Sequence, residues 1–166
     1  MAPFSVAIAG GTGFIGSACA NKLSKKHDVR VIRAPRFQTQ ARSLVALREA
    51  IDPREVEQFA EAHLAGVDVL VNAAGQATAT STDQSSLMGA NALLPLFLVR
   101  AATLAGMTRF VHISSAAVQG RRMLDESERL QPENRYALSK ALGEALLRDT
   151  PALDVIRYRP TSVQGS

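Results

Sequence analysis

Two small constellations in this sequence have residue types and spacings that suit chemistry. The first is Gly10-Gly11-Thr12-Gly13-Phe14-Ile15-Gly16. It follows an apolar stretch, Ser5 to Ala9, that reads as a β-strand, and it opens a helix expected over Phe14 to Lys25. A side chain at Gly10 would obstruct the tight turn, one at Gly13 would block approach to a pyrophosphate, and one at Gly16 would push the helix off the sheet. The helix N-terminus offers free N–H groups and a partial positive charge to phosphates. A glycine triplet between strand and helix reads as a dinucleotide-binding loop. The second constellation is Tyr136 and Lys140, four residues apart on a helix expected over Asn134 to Arg148, which places them on one helix face. A phenol with an ordinary pKa near 10 keeps its proton at neutrality. A neighbouring ammonium favours the phenolate, which gives such a pair the makings of a general acid or base.

A third feature bears on which dinucleotide would fit. Sites for NAD usually place an Asp or Glu at the end of the second strand, on the ribose 2′-OH. Here that stretch is Val31-Ile32-Arg33-Ala34-Pro35-Arg36, without an acid. The guanidinium groups of Arg33 and Arg36 match the geometry and charge of a 2′-phosphate. NADP is therefore expected over NAD.

The elements that must position these groups alternate along the chain. Short β-branched runs at Ser5 to Ala9, Val29 to Arg33, Val67 to Asn72, Arg109 to Ser114 and Asp154 to Arg159 are separated by longer helical stretches. That alternation implies an α/β fold, a doubly wound parallel sheet of the Rossmann dinucleotide-binding type. A helix capped by Asp52, with Pro53 as its first residue, is expected to run to about Ala65. Leu87 to Ala105 reads as one long helix closed by Gly106. Thr39 to Asp52 is ambiguous. Leu44, Leu47 and Ile51 recur at helical spacing, while Ser43 to Leu47 also suits a short strand; helix is the preferred reading. Gln119 to Glu133 is polar and loop-like.

Length and composition bound the rest. The 166 residues fit one domain, and 46% apolar with 20% charged residues places the chain among globular proteins, far from disorder. The formal charge of +4 comes without a basic run, so nucleic acid is not an expected partner. Cys19 is the only cysteine, which rules out an internal disulfide and suits a reducing compartment. Met1 to Gly16 is apolar but lacks the basic start and cleavage pattern of a signal peptide. No apolar run is read as approaching the roughly 20 residues of a membrane span. A cytoplasmic protein without membrane contact is the expectation. His27, His63 and His112 lack metal-ligand spacing, and no metal is expected; His112, on a strand, reads as a core residue.

Taken together the motifs resemble the extended short-chain dehydrogenase/reductase family, of the NAD-dependent epimerase/dehydratase type. Gly10 to Gly16 is similar to that family's TGxxGxxG loop, with Ala9 in place of the Thr. Asn72-Ala73-Ala74-Gly75 resembles its NAAG segment. His112-Ile113-Ser114-Ser115-Ala116-Ala117-Val118-Gln119-Gly120 resembles SSxxVYG, with Gln119 where Tyr is common. Tyr136-Ala137-Leu138-Ser139-Lys140 matches YxxSK. Arg159-Pro160-Thr161-Ser162-Val163-Gln164-Gly165 resembles RPxxVYG. The resemblance spans essentially the whole chain, in the family's order.

The resemblance implies a catalytic set of Ser115, Tyr136 and Lys140. Tyr136 would act as general acid or base on a substrate C–O bond, Ser115 would donate to the same oxygen, and Lys140 would also bond the nicotinamide ribose. It implies cofactor contacts from Gly10, Gly13, Phe14, Ile15, Gly16, Ala73, Ala74, Gly75, Asn91, Ser114, Tyr136, Lys140 and Pro160, beside Arg33 and Arg36. The expected activity is NAD(P)-dependent hydride transfer at a carbinol or carbonyl carbon, with a nucleotide sugar as the small-molecule substrate and a homodimer as the assembly. Epimerisation, dehydration and reduction all remain open. So do two other classes: a non-catalytic NADP-sensing regulator, against which the Tyr–Lys pair argues, and a reductase of a non-sugar carbonyl. Extended members usually continue for more than a hundred further residues with a smaller substrate domain, so a fragment of a longer enzyme is expected.

Overall fold

The computed structural model describes residues 2–77, 83–120, 124–148, 150 and 153–164. Its elements run β1 (Ser5–Ala9), α1 (Phe14–Leu23), β2 (Asp28–Ile32), α2 (Leu44–Glu49), α3 (Pro53–His63), β3 (Val69–Asn72), α4 (Gln84–Met88), α5 (Leu94–Leu104), β4 (Arg109–Ile113), α6 (Arg135–Leu147) and β5 (Asp154–Tyr158). A π-helical turn, Gly89–Leu93, joins α4 to α5, and a 3₁₀ turn, Ala116–Gln119, follows β4. The element types match the sequence reading. β1 has the expected ends, β2 lies one residue earlier, β3 starts two residues later, β4 and β5 each end one residue earlier, and α1 stops at Leu23 with Ser24 as its C-cap.

All five strands are parallel, in the order β2-β1-β3-β4-β5. The chain leaves β1 in one direction to form β2, then returns to the other side of β1 to form β3. Right-handed crossovers therefore put α1 on one face and the remaining helices on the other. Alternate residues of β1 show the division. Val6 and Ile8 pack with Val71 against Cys19, Ala20 and Leu23 of α1. Ala7 and Ala9 face the larger core, with Leu70, Phe110 and the buried side chains of α2, α3, α5 and α6.

Of the ambiguous stretch Thr39 to Asp52, Leu44–Glu49 forms helix and Thr39 to Arg42 is neither helix nor strand. Ser43 caps α2 by accepting from the Ala46 N–H, and Leu47 and Ile51 are buried at helical spacing. Asp52 caps α3 through the Arg54 N–H at 2.9 Å, with Pro53 at the first position. Gly106 adopts a positive φ of 68° just after α5.

The expectation of one regular helix over Leu87 to Ala105 needs correcting. The helical run spans Gln84–Leu104 and contains the π turn. Pro95 lacks the N–H that would bond the Asn91 carbonyl one turn back, and the Leu94 N–H reaches Gly89 instead. This run also corrects the membrane reading. At 21 residues with a hydropathy of 1.6 it is long and apolar enough to cross a bilayer, but 78% of that window is buried inside the fold. A helix covered by protein on nearly all sides has to be apolar all round.

The freed Asn91 carbonyl faces Gly143 of α6, where an added Cβ would lie 2.2 Å from it. Gly143→Ala is expected to destabilise the fold by about 1–3 kcal/mol through overpacking. Urea unfolding checks this, and an unchanged midpoint would show that α6 is free to move back.

Candidate functional site

In an open parallel sheet, ligands bind beyond the carboxyl ends of the strands where the strand order reverses. Here that point lies between β1 and β3. A cleft of about 940 Å³ occupies it, lined by Gly10 to Gly13 after β1, Val31 to Gln38 from the end of β2, Ala73 to Gln76 after β3, and Ser86, Ala90 and Leu94.

The floor of the cleft is built by backbone crowding. Gly10 has a φ of +79°, and an added Cβ there would lie 2.5 Å from the Ala74 nitrogen. A Cβ on Gly16 would lie 2.1 Å from the Gly10 carbonyl oxygen, so the start of α1 sits directly on the loop. Gly13 is different. It is exposed and extended, no side chain caps the N–H groups of α1, and the nearest atom to an added Cβ is 3.3 Å away. Close packing thus requires Gly10 and Gly16, while Gly13 leaves space beside free N–H donors. That combination fits the pyrophosphate of a dinucleotide.

The far wall is held by buried amides. Asn72 accepts from the Ala74 N–H at 3.1 Å and donates to His112 Nδ1 at 3.2 Å. His112 is fully buried, and that burial, with the Lys140 and Arg157 charges, holds its pKa well below the usual imidazole value. Neutral His112 therefore serves as an acceptor that fixes Asn72, in keeping with its reading as core. Asn91 grips Gln76 with both ends of its amide: Oδ1 accepts from the Gln76 N–H at 2.9 Å and Nδ2 donates to the Gln76 carbonyl at 3.0 Å. Its Nδ2 also donates to Ser139 on α6 at 3.0 Å.

Tyr136, Lys140 and Glu144 follow one another at four-residue intervals along α6. Tyr136 is half-buried, and Lys140 is only 5% exposed. Lys140 donates to the Ile113 carbonyl at 3.1 Å, and an added Cβ on Gly75 would lie 2.9 Å from its Nζ. The ammonium therefore stands against the wall of the cleft, where burial pushes its pKa down to about 8 against an opposing effect of Glu144. Ser115 caps the 3₁₀ turn by accepting from the Ala117 N–H at 3.2 Å, which leaves its hydroxyl proton free to donate. Ser114 is buried, with no hydrogen-bond partner for Oγ. The carbonyl of Pro160 accepts from the Ala116 N–H at 2.9 Å and ties the end of β5 to the same turn.

Of the residues expected from sequence, Gly10, Gly13, Arg33, Arg36, Ala73, Ala74 and Gly75 line the cleft. Phe14, Ile15, Gly16, Asn91, Ser114, Ser115, Tyr136, Lys140 and Pro160 do not. Gly16, Asn91 and Pro160 act instead through packing or backbone bonds. Phe14 is exposed on the first turn of α1, and Gly165 lies outside the described residues.

The sequence reading missed two groups. Gln119 is 1% exposed rather than part of a polar surface loop. Its Nε2 has the Asp125 carbonyl and Oδ1 at 3.0 Å and the Ser127 carbonyl at 3.3 Å. Glu144 is fully buried and takes a two-pronged ion pair from Arg159, with Nη2 at 2.7 Å and Nε at 3.0 Å. Glu144 four residues beyond Lys140 was the available signal, since a buried acid needs a partner.

Comparison with known proteins bears on this arrangement. Residues 6–166 match the model of the NAD dependent epimerase/dehydratase family. The chain belongs to that family. Among relatives of this epimerase/dehydratase member, a UDP-glucose 4-epimerase of Vibrio cholerae is 29% identical over 176 residues, covering 98% of this chain and 53% of the relative. A UDP-glucuronic acid 4-epimerase of Bacillus cereus, solved with NAD, superposes with a TM-score of 0.72 at 20% identity, over 97% of this chain and 58% of its own. A dTDP-4-dehydrorhamnose reductase of Bacillus anthracis, solved with NADP, gives 0.70 at 20% identity, over 95% of this chain and 54% of its own. The chain thus spans about half the length of these relatives, and the solved structures establish the Rossmann-type fold.

Gly13→Asp should leave the fold intact, because the single close contact of an added Cβ, the Gly10 carbonyl oxygen at 3.3 Å, asks for only a slight local shift, and should weaken dinucleotide binding at least about tenfold, or ~1.4 kcal/mol. Calorimetry with unfolding as control checks this. Undiminished binding would place the ligand elsewhere.

Proposed function

We propose that this chain is the cofactor-binding core of an NAD(P)-dependent enzyme that transfers hydride at a carbinol or carbonyl carbon of a nucleotide sugar. One juxtaposition carries the reading. The buried Lys140 ammonium stands against Gly75 at the wall of the glycine-loop cleft, with Tyr136 one turn before it on the same helix. A helix-surface pair would leave the ammonium in solvent, whereas Lys140 is buried directly behind Gly75.

In this reading Gly13 and the first turn of α1 receive the pyrophosphate. Lys140 holds the nicotinamide ribose. Arg33 and Arg36, both exposed at the β2 end of the cleft, take the 2′-phosphate of NADP. When bound, the dinucleotide supplies the acceptor and donor of hydride. Tyr136 moves a proton between its Oη and the substrate oxygen. Ser115 donates its free hydroxyl proton to the same oxygen and orients it.

The assembly that accompanies this reading is a homodimer through α5 and α6. Beside these helices lies a groove of about 830 Å³ with Leu96, Leu104 and Leu146 in its lining. Light scattering decides the point, and a monomer mass removes it.

Titration with NADPH and NADH should give tighter binding of NADPH, and Arg33→Ser with Arg36→Ser should abolish the difference. Equal or tighter NADH binding in the parent chain would sink the NADP assignment. Tyr136→Phe should keep cofactor affinity and lower turnover of a keto-sugar nucleotide by about 10²–10⁴. Consumption of NADPH with a small ketone, but not with the keto-sugar nucleotide, would replace the substrate class.

A further inference from the structure

Gly89 opens the π turn in an ordinary helical conformation, with φ −59° and ψ −50°. Any residue adopts that conformation, and glycine is disfavoured inside a helix because it gives up the most backbone freedom. Space is what requires it. Gly89 is buried, and an added Cβ would lie 1.9 Å from the Phe37 carbonyl oxygen, 2.3 Å from its carbon and 2.9 Å from the Gln38 nitrogen. All three atoms are backbone of the segment that follows β2. That segment, residues 33–42, has no regular structure of its own, yet it is fastened to the helical run at several neighbouring points. The Ser85 carbonyl accepts from the Gly89 N–H and also from the Thr39 N–H, the latter at 3.2 Å. Gln38 Nε2 donates to the Ser86 hydroxyl at 3.3 Å, and the Phe37 ring centre lies 5.2 Å from that of Phe97.

Two walls of the glycine-loop cleft meet at this contact. Residues 33–38 line one wall, and Ser86, Ala90 and Leu94 line the other. Arg36 stands in the first wall, exposed, directly before Phe37 in the chain. Among the described residues neither Arg33 nor Arg36 makes a hydrogen bond or ion pair, so the course of the backbone sets where their guanidinium groups stand. We propose that Gly89 is a specificity-determining position for the dinucleotide: it admits the Phe37 carbonyl, docks segment 33–38 on the π turn and so holds Arg36 in the cleft wall, where it selects NADPH over NADH. The proposal rests on the reading of Arg33 and Arg36 as the residues that take the 2′-phosphate. A side chain at position 89 pushes the segment outward, because the π turn is already packed backbone to backbone against Gly143 of α6. The glycine loop and Gly75 follow β1 and β3 and keep their places.

The 166-residue chain and its Gly89→Ala variant are titrated with NADPH and NADH by calorimetry, and amide hydrogen exchange is read in both without cofactor. The preference for NADPH should fall at least about tenfold in the variant, the lower end of what a hydrogen bond to a charged group contributes. The Thr39 amide should exchange faster, while the amides of α5 keep their parent rates. A substitution that merely loosened the fold would weaken both cofactors alike and speed exchange throughout. Where the parent prefers NADPH, an unchanged preference in the folded variant overturns the proposal, and so does acceleration of Thr39 and α5 together. If Gly89→Ala does not fold, Phe37→Ala takes its place, since it removes the ring that holds the segment against Phe97 and adds nothing to the helical run. A reduced preference then supports the docking, and an unchanged one overturns it. A parent chain that binds NADH as tightly as NADPH, with Thr39 exchange still raised in the variant, overturns the NADP assignment and leaves the docking of the segment standing.

Discussion

The depth at which α6 lies against the rest of the molecule is set by a contact between two backbones. Pro95 leaves the Asn91 carbonyl without its usual helical donor, the helix relaxes into a π turn, and Gly143 lets α6 come down onto that carbonyl. The Asn91 side chain is then close enough to bridge Gln76 beyond β3 and Ser139 on α6. The register of Lys140 against the cleft follows from this packing. So does the position of Tyr136, whose carbonyl accepts from the Ser139 hydroxyl at 2.7 Å. A single missing N–H thus propagates through two helices to the proposed site.

The polar groups around that contact form a connected set. Neutral His112 fixes Asn72, Asn72 fixes the turn at Ala74, and Gly75 abuts Lys140. On the far side Gln119 and Arg159 converge on the Ser127 carbonyl, while Arg157 and Arg148 converge on Glu128. The loop between the 3₁₀ turn and α6 is therefore held by side chains rather than by regular structure. Gln119, where the family often has Tyr, suits this task because an amide donates and accepts at once.

Much of this was legible from sequence. Alternating strand and helix patterns, with the glycine loop in context, pointed to the parallel sheet and the place of its cleft. Asp52 before Pro53 announced a helix start, and the spacing of Leu44 and Leu47 announced α2. What stayed hidden depends on tertiary placement. The π turn at Asn91 was masked by a run of apolar residues whose period continues through Pro95. Gln119 looked like a loop residue, because its neighbours are polar and its burial is created by a loop folding back over it. Glu144 looked like an ordinary helix acid, since its partner Arg159 lies 15 residues away.

The approach of Gly75 to Lys140 has a consequence for recombination between relatives. The cofactor loops come from the first half of the chain and the Tyr–Lys helix from the second, which suggests two exchangeable modules. They are not independent. A chimera whose first half brings any side chain at position 75 would place it where the ammonium now stands, 2.9 Å from a built Cβ. A first half that keeps glycine at position 75 leaves the ammonium in place, whereas one that brings a side chain makes the ends of Lys140 and of Asn91, equally near at 2.9 Å, give way.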